Sequence, residues 1–337
     1  MIGGSGVEQD SRAHPALEAL QARVEGSATE GIRLALVIEG GGMRGVVCGG
    51  MVAALEHMGF TSAFHDVIGS SAGAIAGAYF VAGQAAFGTR IFYEEINNRQ
   101  FVSKRRLLIG KPVVSVDFLL DDICRGPKLL NWKAVLDAPS RLVCIASNID
   151  REQSVALDRF DGQESLFTAL KASARIPAVA GPPVVINGDR HVDAGVYENI
   201  PYATALARGA THVVVLMTRP EGKAPATLEW SEKLLVVPWL NKQKPGVGET
   251  YRSHRSRYVA EIAAVKAASE ANGPPHVISV SLPDSQQEIS KIETDRNVLQ
   301  TGALEGFKAV YSAFGMDPPE SPAELCLDQW HCQSNQT

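Results

Sequence analysis

From Arg33 onward the apolar and polar positions fall into a regular order. The run "RLALVI" is short and almost wholly apolar, which reads as a buried strand. Glycines end it, and "VVCGGMVAALEHMG" follows at helical length, closed by Gly59. "HDVIGS" is a second strand. "SAGAIAGAYFVAG" is a helix whose small residues suit close packing on a sheet. Strand, helix, strand, helix within about fifty residues is a βαβ unit, which implies a parallel sheet with a right-handed crossover.

The same alternation continues downstream. "IFYEEINNRQF" and "VDFLLDDICRG" have helical spacing, and "RLVCIASNID" and "SVALDRF" read as strands. "ESLFTALKASARIP" is a helix with Pro177 at its exit. In "PPVVINGDRHVDAG" the pair Asn187-Gly188 between β-prone runs is a hairpin signal. "IPYATALARGA" is a helix and "HVVVLMTRP" a buried strand. Beyond Pro220 come loops rich in Pro, Gly and Lys, the segment "LEWSEKLLVVPWL", a long helix in "RSRYVAEIAAVKAASEAN", a late strand "HVISVSLP" and a last helix in "TDRNVLQTGALEGFKAVYSAF". The expected organisation is an N-terminal tail at 1–30 carrying a short docking helix in "PALEALQARVEG", a core at 31–220, a helical C-terminal extension with one late strand at 221–317, and a tail at 318–337.

Composition narrows the function classes. Hydrophobic residues make up 45% and charged residues 20%, as in ordinary globular proteins. A net charge of −5 supplies no general basic field for nucleic acid, so no nucleic-acid partner is expected. The five cysteines are scattered and include no CxxC pair, so neither a disulfide framework nor a structural zinc site is expected. Cys48 and Cys144 lie in apolar runs and read as small buried hydrophobes. The first residues lack a basic start followed by an apolar stretch, and no stretch approaches 18 uninterrupted apolar residues, so the expectation is a cytoplasmic protein without a membrane span.

Two motifs carry chemistry. Gly69-Ser70-Ser71-Ala72-Gly73 fits G-x-S-x-G between a strand and a helix, the context in which a strained turn lifts a serine hydroxyl above the sheet end. There Gly69 and Gly73 remove side chains that would collide. The same pentapeptide also serves as a packing turn. The second motif, "IEGGGMRG", has the spacing Gly40-x-Gly42-x-x-Gly45 of a dinucleotide loop. That reading requires an acidic residue at the end of the second strand, but Asp66 sits at its start and the end carries Gly69-Ser70-Ser71. Gly42 precedes Ser71 by 29 residues, about one βαβ unit. Both loops therefore leave the same sheet edge, where bare backbone N–H groups beside a serine form an oxyanion hole. An α/β-hydrolase triad fits less well: it separates these loops by more sheet and needs a histidine after the acid; His212, His254 and His276 are present, but His212 and His276 head apolar strands.

An aspartate can activate a serine if it is held in a partly desolvated cleft. Asp193 in "HVDAGVYENIP" is the candidate, although an aspartate there also serves as an ordinary turn residue.

"GGGMRG", "GSSAG" and "DAG", in this order, resemble the patatin-like phospholipase family, as do "ASARIP" before the aspartate and Asn199 and Pro201 after it. The resemblance covers about residues 33 to 218. It implies a mostly parallel α/β sheet sandwiched by helices. It also implies hydrolysis of lipid acyl esters by a Ser–Asp dyad without cofactor or metal. Carried over by residue, Ser71 would be the nucleophile and Asp193 the general base. Gly40, Gly41, Gly42 and Met43 would lend N–H groups to the oxyanion hole, with Arg44 at the family's basic position and Gly45, Gly69, Gly73 and Gly195 supporting the motifs. One departure is Asp193-Ala194-Gly195, where the family has Asp-Gly; alanine disfavours a left-handed backbone and puts the geometry of the base in question. Arg44 is read either as a hand on the oxyanion or a lipid phosphate, or as a brace for its loop.

A lipid hydrolase must meet an interface. Lys104, Arg105 and Arg106 beside Leu107, Leu108 and Ile109 form one candidate for peripheral membrane contact, and Arg252, Arg255 and Arg257 another. The segment containing Trp230 and Trp239 is a candidate lid. The alternatives to a serine acyl hydrolase are a non-catalytic lipid-binding module on the same fold and an NAD-dependent oxidoreductase.

Overall fold

The structure is a computed structural model that describes residues 14–27, 30–223, 230–319 and 322–325. Its elements follow in chain order. Helix α1 (Pro15–Val24) precedes β1 (Leu34–Ile38), α2 (Val46–His57), β2 (Asp66–Ser70) and α3 (Ala72–Val81). Short helices α4 (Ala85–Thr89), α5 (Ile91–Glu94) and α6 (Trp132–Asp137) lead to β3 (Arg141–Asn148), β4 (Gln153–Leu157) and α7 (Gln163–Ala174). The hairpin β5 (Val184–Ile186) and β6 (Asp189–Asp193) comes next, then α8 (Tyr202–Ala207) and β7 (His212–Pro220). Helices α9 (Trp230–Gln243), α10 (Val247–Arg252) and α11 (His254–Ser269), strand β8 (His276–Leu282) and α12 (Arg296–Ala313) complete the chain.

The sheet has eight strands in the order β5-β6-β3-β2-β1-β7-β8, with β4 also paired to β3. Strands β3, β2, β1, β7 and β8 are mutually parallel, and β4, β5 and β6 add antiparallel pairs at one side. This is the mostly parallel α/β sheet expected from the sequence. All five residues of β1 are buried, as a central parallel strand requires. Alternate side chains feed two cores. Leu34, Leu36 and Ile38 pack with Met51, Phe80 and Phe307 on one face, and Ala35 and Val37 with Tyr202, Tyr258 and Val265 on the other. Helices thus cover both faces of the sheet. β8 continues the sheet beside β7, and α12 lies against α2.

Several sequence expectations are refined. Of "IFYEEINNRQF" only Ile91–Glu94 is helical. The Asn98 side chain bonds the Glu95 carbonyl and accepts from the N–H groups of Gln100 and Phe101, which substitutes local turns for helix. "VDFLLDDICRG" winds as a π-helix at Phe118–Ile123. The hairpin turn is as expected, with Asn187 and Gly188 both at positive φ, 52° and 85°. Helix α1 buries Ala16, Leu17, Ala19 and Leu20 in the main core, so this part of the expected N-terminal tail is docked. Residues 1–13, 28–29, 224–229, 320–321 and 326–337, including the start of the segment read as a candidate lid and Cys326 and Cys332, lie outside the described residues. Cys48 and Cys144 are buried, as expected, and so is Cys124.

Helices α2 and α12 touch backbone to backbone. A Cβ at Gly50 would stand 1.9 Å from the Ala303 carbonyl oxygen, and one at Gly306 would stand 2.1 Å from that of Val47. Alanine favours an isolated helix by about 1 kcal/mol over glycine. Gly50→Ala is nevertheless expected to destabilise the protein by about 1–3 kcal/mol through overpacking, read as a lower denaturation midpoint. A stabilised variant would contradict this helix contact.

Candidate active site

Strand β2 ends at Ser70 and α3 begins at Ala72, leaving Ser71 alone at the corner with φ 55° and ψ −123°. A non-glycine residue held there stores about 1–3 kcal/mol of strain. The neighbours hold it in place. The Ser71 N–H donates to Ser173 Oγ at 2.9 Å, and the Ser71 carbonyl accepts from the Ala74 N–H at 3.0 Å. A Cβ at Gly69 would lie 2.4 Å from the Gly73 oxygen, and one at Gly73 would lie 2.4 Å from the Ile38 oxygen. Only glycine lets the corner sit this close to β1. Ser173 is a contributor that sequence reading did not single out; its only signal was its place in "ASARIP".

Asp193 reaches the same corner through β3. One edge of β3 pairs with β2 as far as Ile145↔Ser70, while β4 occupies the other edge from Cys144 to Asn148. From Ala146 the edge that β2 has left is taken by β6, with Ala146↔Asp193 as the first pair. Ser70 and Asp193 therefore face consecutive residues of one strand. Ser71 and Asp193, 122 positions apart in the chain, are brought together by backbone pairing.

The carboxylate is only partly solvated. Asp193 Oδ1 accepts the Gly195 N–H at 2.9 Å, while Oδ2 is shielded from solvent and takes no fully formed hydrogen bond. Burial raises the Asp193 pKa above the ordinary 3.8; the adjacent Ser71 hydroxyl, the Gly195 N–H and the Lys291 charge oppose the rise. Ala194, the departure from the family motif, does not adopt positive φ. It is buried in a 3-10 turn, and its carbonyl accepts from Ser147 Oγ at 3.1 Å. The alanine is thus accommodated. A Cβ at Gly195 would press on Asp193 Oδ1 at 3.0 Å and on Asn199 Oδ1 at 3.1 Å, which explains the glycine.

The glycine loop lies beside Ser71. A Cβ at Gly40 would stand 2.9 Å from Ser71 Cβ, and one at Gly45 would stand 2.8 Å from Ala72 Cβ. Gly42 turns at φ +58°. One expected oxyanion donor is corrected: the Met43 N–H donates to the Lys291 carbonyl at 3.0 Å, which leaves Gly40, Gly41 and Gly42 as candidates. Arg44 is a brace. Its side chain is 4% exposed; Nε donates to Thr218 Oγ1 at 2.9 Å, Nη1 to Glu288 Oε1 at 2.6 Å, and Nη2 stands 3.9 Å from Glu39 Oε1. Glu39 also accepts from the Thr218 N–H at 2.6 Å and from the Tyr258 hydroxyl. A guanidinium so engaged is committed to protein partners.

His212 and His276 begin β7 and β8, at the sheet end opposite to Ser71. Burial and the charges of Lys291, Arg257 and Arg219 push His254 down to about 4, so it is neutral at pH 7. Among the described residues no hydrogen bond joins a histidine to Ser71 or Asp193. The basic runs are partly structural: Arg106 caps the carbonyls of Arg99, Gln100 and Phe101, and Arg257 those of Val196 and Thr250. Among the described residues no helix is long and apolar enough to cross a membrane, and no group of three metal-ligating side chains occurs.

A model of the patatin-like phospholipase family matches residues 36–206, half of the chain. The chain belongs to the patatin-like phospholipase family. An uncharacterized protein of Escherichia coli, YjjU, is 25% identical over 60% of this chain and 56% of its own length. An uncharacterized NTE family protein of Mycobacterium tuberculosis is 27% identical over 65% of this chain and 57% of its own. The chain thus spans somewhat more than half the length of these curated relatives. Among solved structures, VipD from Legionella pneumophila aligns with a TM-score of 0.42 at 12% identity, covering 86% of this chain and 67% of that one.

In this patatin-like chain the loop after Asp193 is fastened by a carboxylate from α11. Glu261 accepts from the N–H groups of Asn199 and Ile200, the latter at 3.1 Å. Burial, aided by Glu198 and Glu39, raises its pKa from 4.5 to about 7. The folded state therefore holds this proton more tightly than the unfolded chain, and stability falls as pH rises from about 4.5 through 7. Glu261→Gln removes that dependence. The variant is expected to gain on the order of 2 kcal/mol relative to the parent between pH 5 and pH 8, measured by denaturant unfolding at the two pH values. A parallel pH response of the two proteins would contradict it.

Proposed function

We propose that the chain is a serine acyl hydrolase of lipid esters in which Ser71 is the nucleophile and Asp193 the general base. The observation that carries this reading is the shared edge of β3, which sets a strained serine beside a buried carboxylate with one oxygen uncommitted. Ser71 Oγ attacks the ester carbonyl as its proton passes to Asp193. The N–H groups of Gly40, Gly41 and Gly42 receive the oxyanion. Collapse expels the alcohol, which takes the proton from Asp193. Water, deprotonated by the same carboxylate, then releases the fatty acid and restores Ser71.

Two features favour Asp193 as base. Its raised pKa brings proton affinity nearer to working pH, where general-base catalysis is most effective. It needs no histidine partner, and none is bonded to it among the described residues. Substrate supply fits peripheral contact with a lipid surface, for which Lys104, Arg105 and the exposed Ile109, Leu234 and Leu235 are the available side chains.

A fluorophosphonate probe is expected to label the parent protein, and Ser71→Ala to abolish labelling together with hydrolysis across a panel of phospholipid and neutral esters. Lipid binding without hydrolysis in the parent would favour the non-catalytic module instead. Asp193→Asn is expected to lower turnover by about 10²–10⁴-fold while folding normally; parental rates would require another base.

The carboxylate must be ionised to accept the proton. Activity is therefore lost as pH falls through the raised Asp193 pKa. The acid limb of kcat/KM is expected above the pH at which an ordinary aspartate titrates; a limb at the ordinary value would contradict the desolvated base.

A further inference from the structure

The glycine loop is held from a distant part of the chain. Residues 283–295, between β8 and α12, run across it as a strap. The Lys291 carbonyl accepts the Met43 N–H at 3.0 Å. A Cβ at Gly42 would meet that carbonyl oxygen at 2.7 Å, so the strap and the turn of the loop are in direct backbone contact. Three residues earlier, Glu288 Oε1 accepts from Arg44 Nη1 at 2.6 Å and from Arg219 Nη1. Between these anchors Ile289 is 7% exposed and sits in the space left by the missing side chain of Gly302, whose Cβ would lie 2.3 Å from Ile289 Cδ1. Three attachments of different kinds, an ion pair, an apolar plug and a backbone bond, therefore fix Glu288, Ile289 and Lys291 within a four-residue stretch of the strap.

The strap lies outside residues 36–206, which the family model covers. It acts on the one part of the candidate site whose geometry is backbone and cannot be tuned by changing a side chain. Arg44 follows the glycines directly. Its guanidinium is buried between Glu39 at the end of β1, Thr218 on β7 and Glu288 on the strap. Of the two carboxylates, Glu39 stands 3.9 Å away while Glu288 makes the close contact. Without Glu288 the buried cation loses its tight carboxylate partner, and the turn at Gly42 to Gly45 loses one of the anchors that pin it.

We infer that Glu288 is a positioning residue for the oxyanion loop, acting through Arg44, and that the strap 288–291 is a working part of the active site. This inference rests on the hydrolase reading for its kinetic consequence but not for its structural one. Oxyanion donors act only if they are aimed before the charge appears, and a misplacement of about 1 Å costs on the order of 10²-fold in rate. Both Arg44 and Arg219 bond the same oxygen, Glu288 Oε1, which a glutamine amide oxygen also supplies.

The experiment compares Glu288→Ala and Glu288→Gln in the full chain. Glu288→Ala is expected to lower kcat on a soluble short-chain ester by about 10- to 100-fold with KM little changed. Affinity for a trifluoromethyl ketone, which forms an oxyanion on Ser71, falls in proportion. Glu288→Gln recovers most of the loss and keeps the acid limb of the parent's pH profile, because it keeps the strap, and with it the Lys291 charge that acts on Asp193, in place. Amide hydrogen exchange over residues 40–45 is faster in Glu288→Ala than in the parent. A folded Glu288→Ala protein with parental kcat and parental exchange in the loop would overturn the inference. So would a loss of kcat without loss of ketone affinity. If the parent itself shows no Ser71-dependent turnover, the hydrolase reading fails, while the exchange measurement still decides whether Glu288 holds the loop.

Discussion

The site depends on one strand edge being used twice. β2 pairs with β3 as far as Ile145, and β6, running the other way, takes the same edge from Ala146. Two strands cannot occupy one row of backbone donors and acceptors, so β2 must leave the sheet where β6 arrives. The abrupt departure of β2 is the corner at Ser71, and the arriving end of β6 is Asp193. Their proximity follows from ladder hydrogen bonds, which are among the stiffest restraints a fold has. It does not rely on contacts between flexible side chains.

A second constraint is electrostatic. Turning a glycine loop beside the corner brings bare N–H groups together and places Arg44 in the interior. A lone buried guanidinium would be costly. Here Glu39, Thr218 and Glu288 surround it, and Glu288 is shared with Arg219, whose guanidinium also stands 5.5 Å from the Tyr258 ring centroid. The network ties β1, β7, α11 and the segment before α12 to one loop. Residues far apart in sequence thereby set the shape of six consecutive ones, Gly40 to Gly45.

These two constraints explain what sequence reading reached and what it missed. Strands β1, β2, β3 and β7 were legible because central parallel strands are continuous apolar runs, and the corner was legible because Gly69 and Gly73 punctuate it at fixed spacing. Asp193 stood out through its motif, but no local pattern announces that β6 will take over an edge of β3, since pairing register is a long-range property. Met43 could not be excluded as a donor from sequence, because the acceptor that takes its N–H is a backbone carbonyl of Lys291. The choice between brace and substrate contact for Arg44 was undecided for the same reason: its decisive partner, Glu288, lies 244 positions away. The failed helix after Glu94 is a different case. Asn98 was visible, and its capacity to bond nearby backbone was the signal that periodicity overrode.

The proposed nucleophile and base are held in opposite ways, and the contrast has a chemical logic. Ser71 sits in a strained conformation that persists because everything around it is over-determined: its N–H is taken by Ser173, and the glycines on either side press against backbone of α3 and β1. Strain of this kind survives only where alternatives are sterically closed. Asp193 is under-satisfied instead, with one oxygen bonded to the Gly195 N–H and the other shielded from solvent and without a fully formed hydrogen bond beside the Ser71 hydroxyl. A fully hydrogen-bonded carboxylate would be stabilised as the anion and would be a poor proton acceptor. Burial keeps the proton affinity of Asp193 high, against the opposing Ser71 hydroxyl, Gly195 N–H and Lys291 charge. A rigid hydroxyl and a desolvated carboxylate are what the proposed dyad would need, and in this fold both follow from where β2 ends and β6 begins.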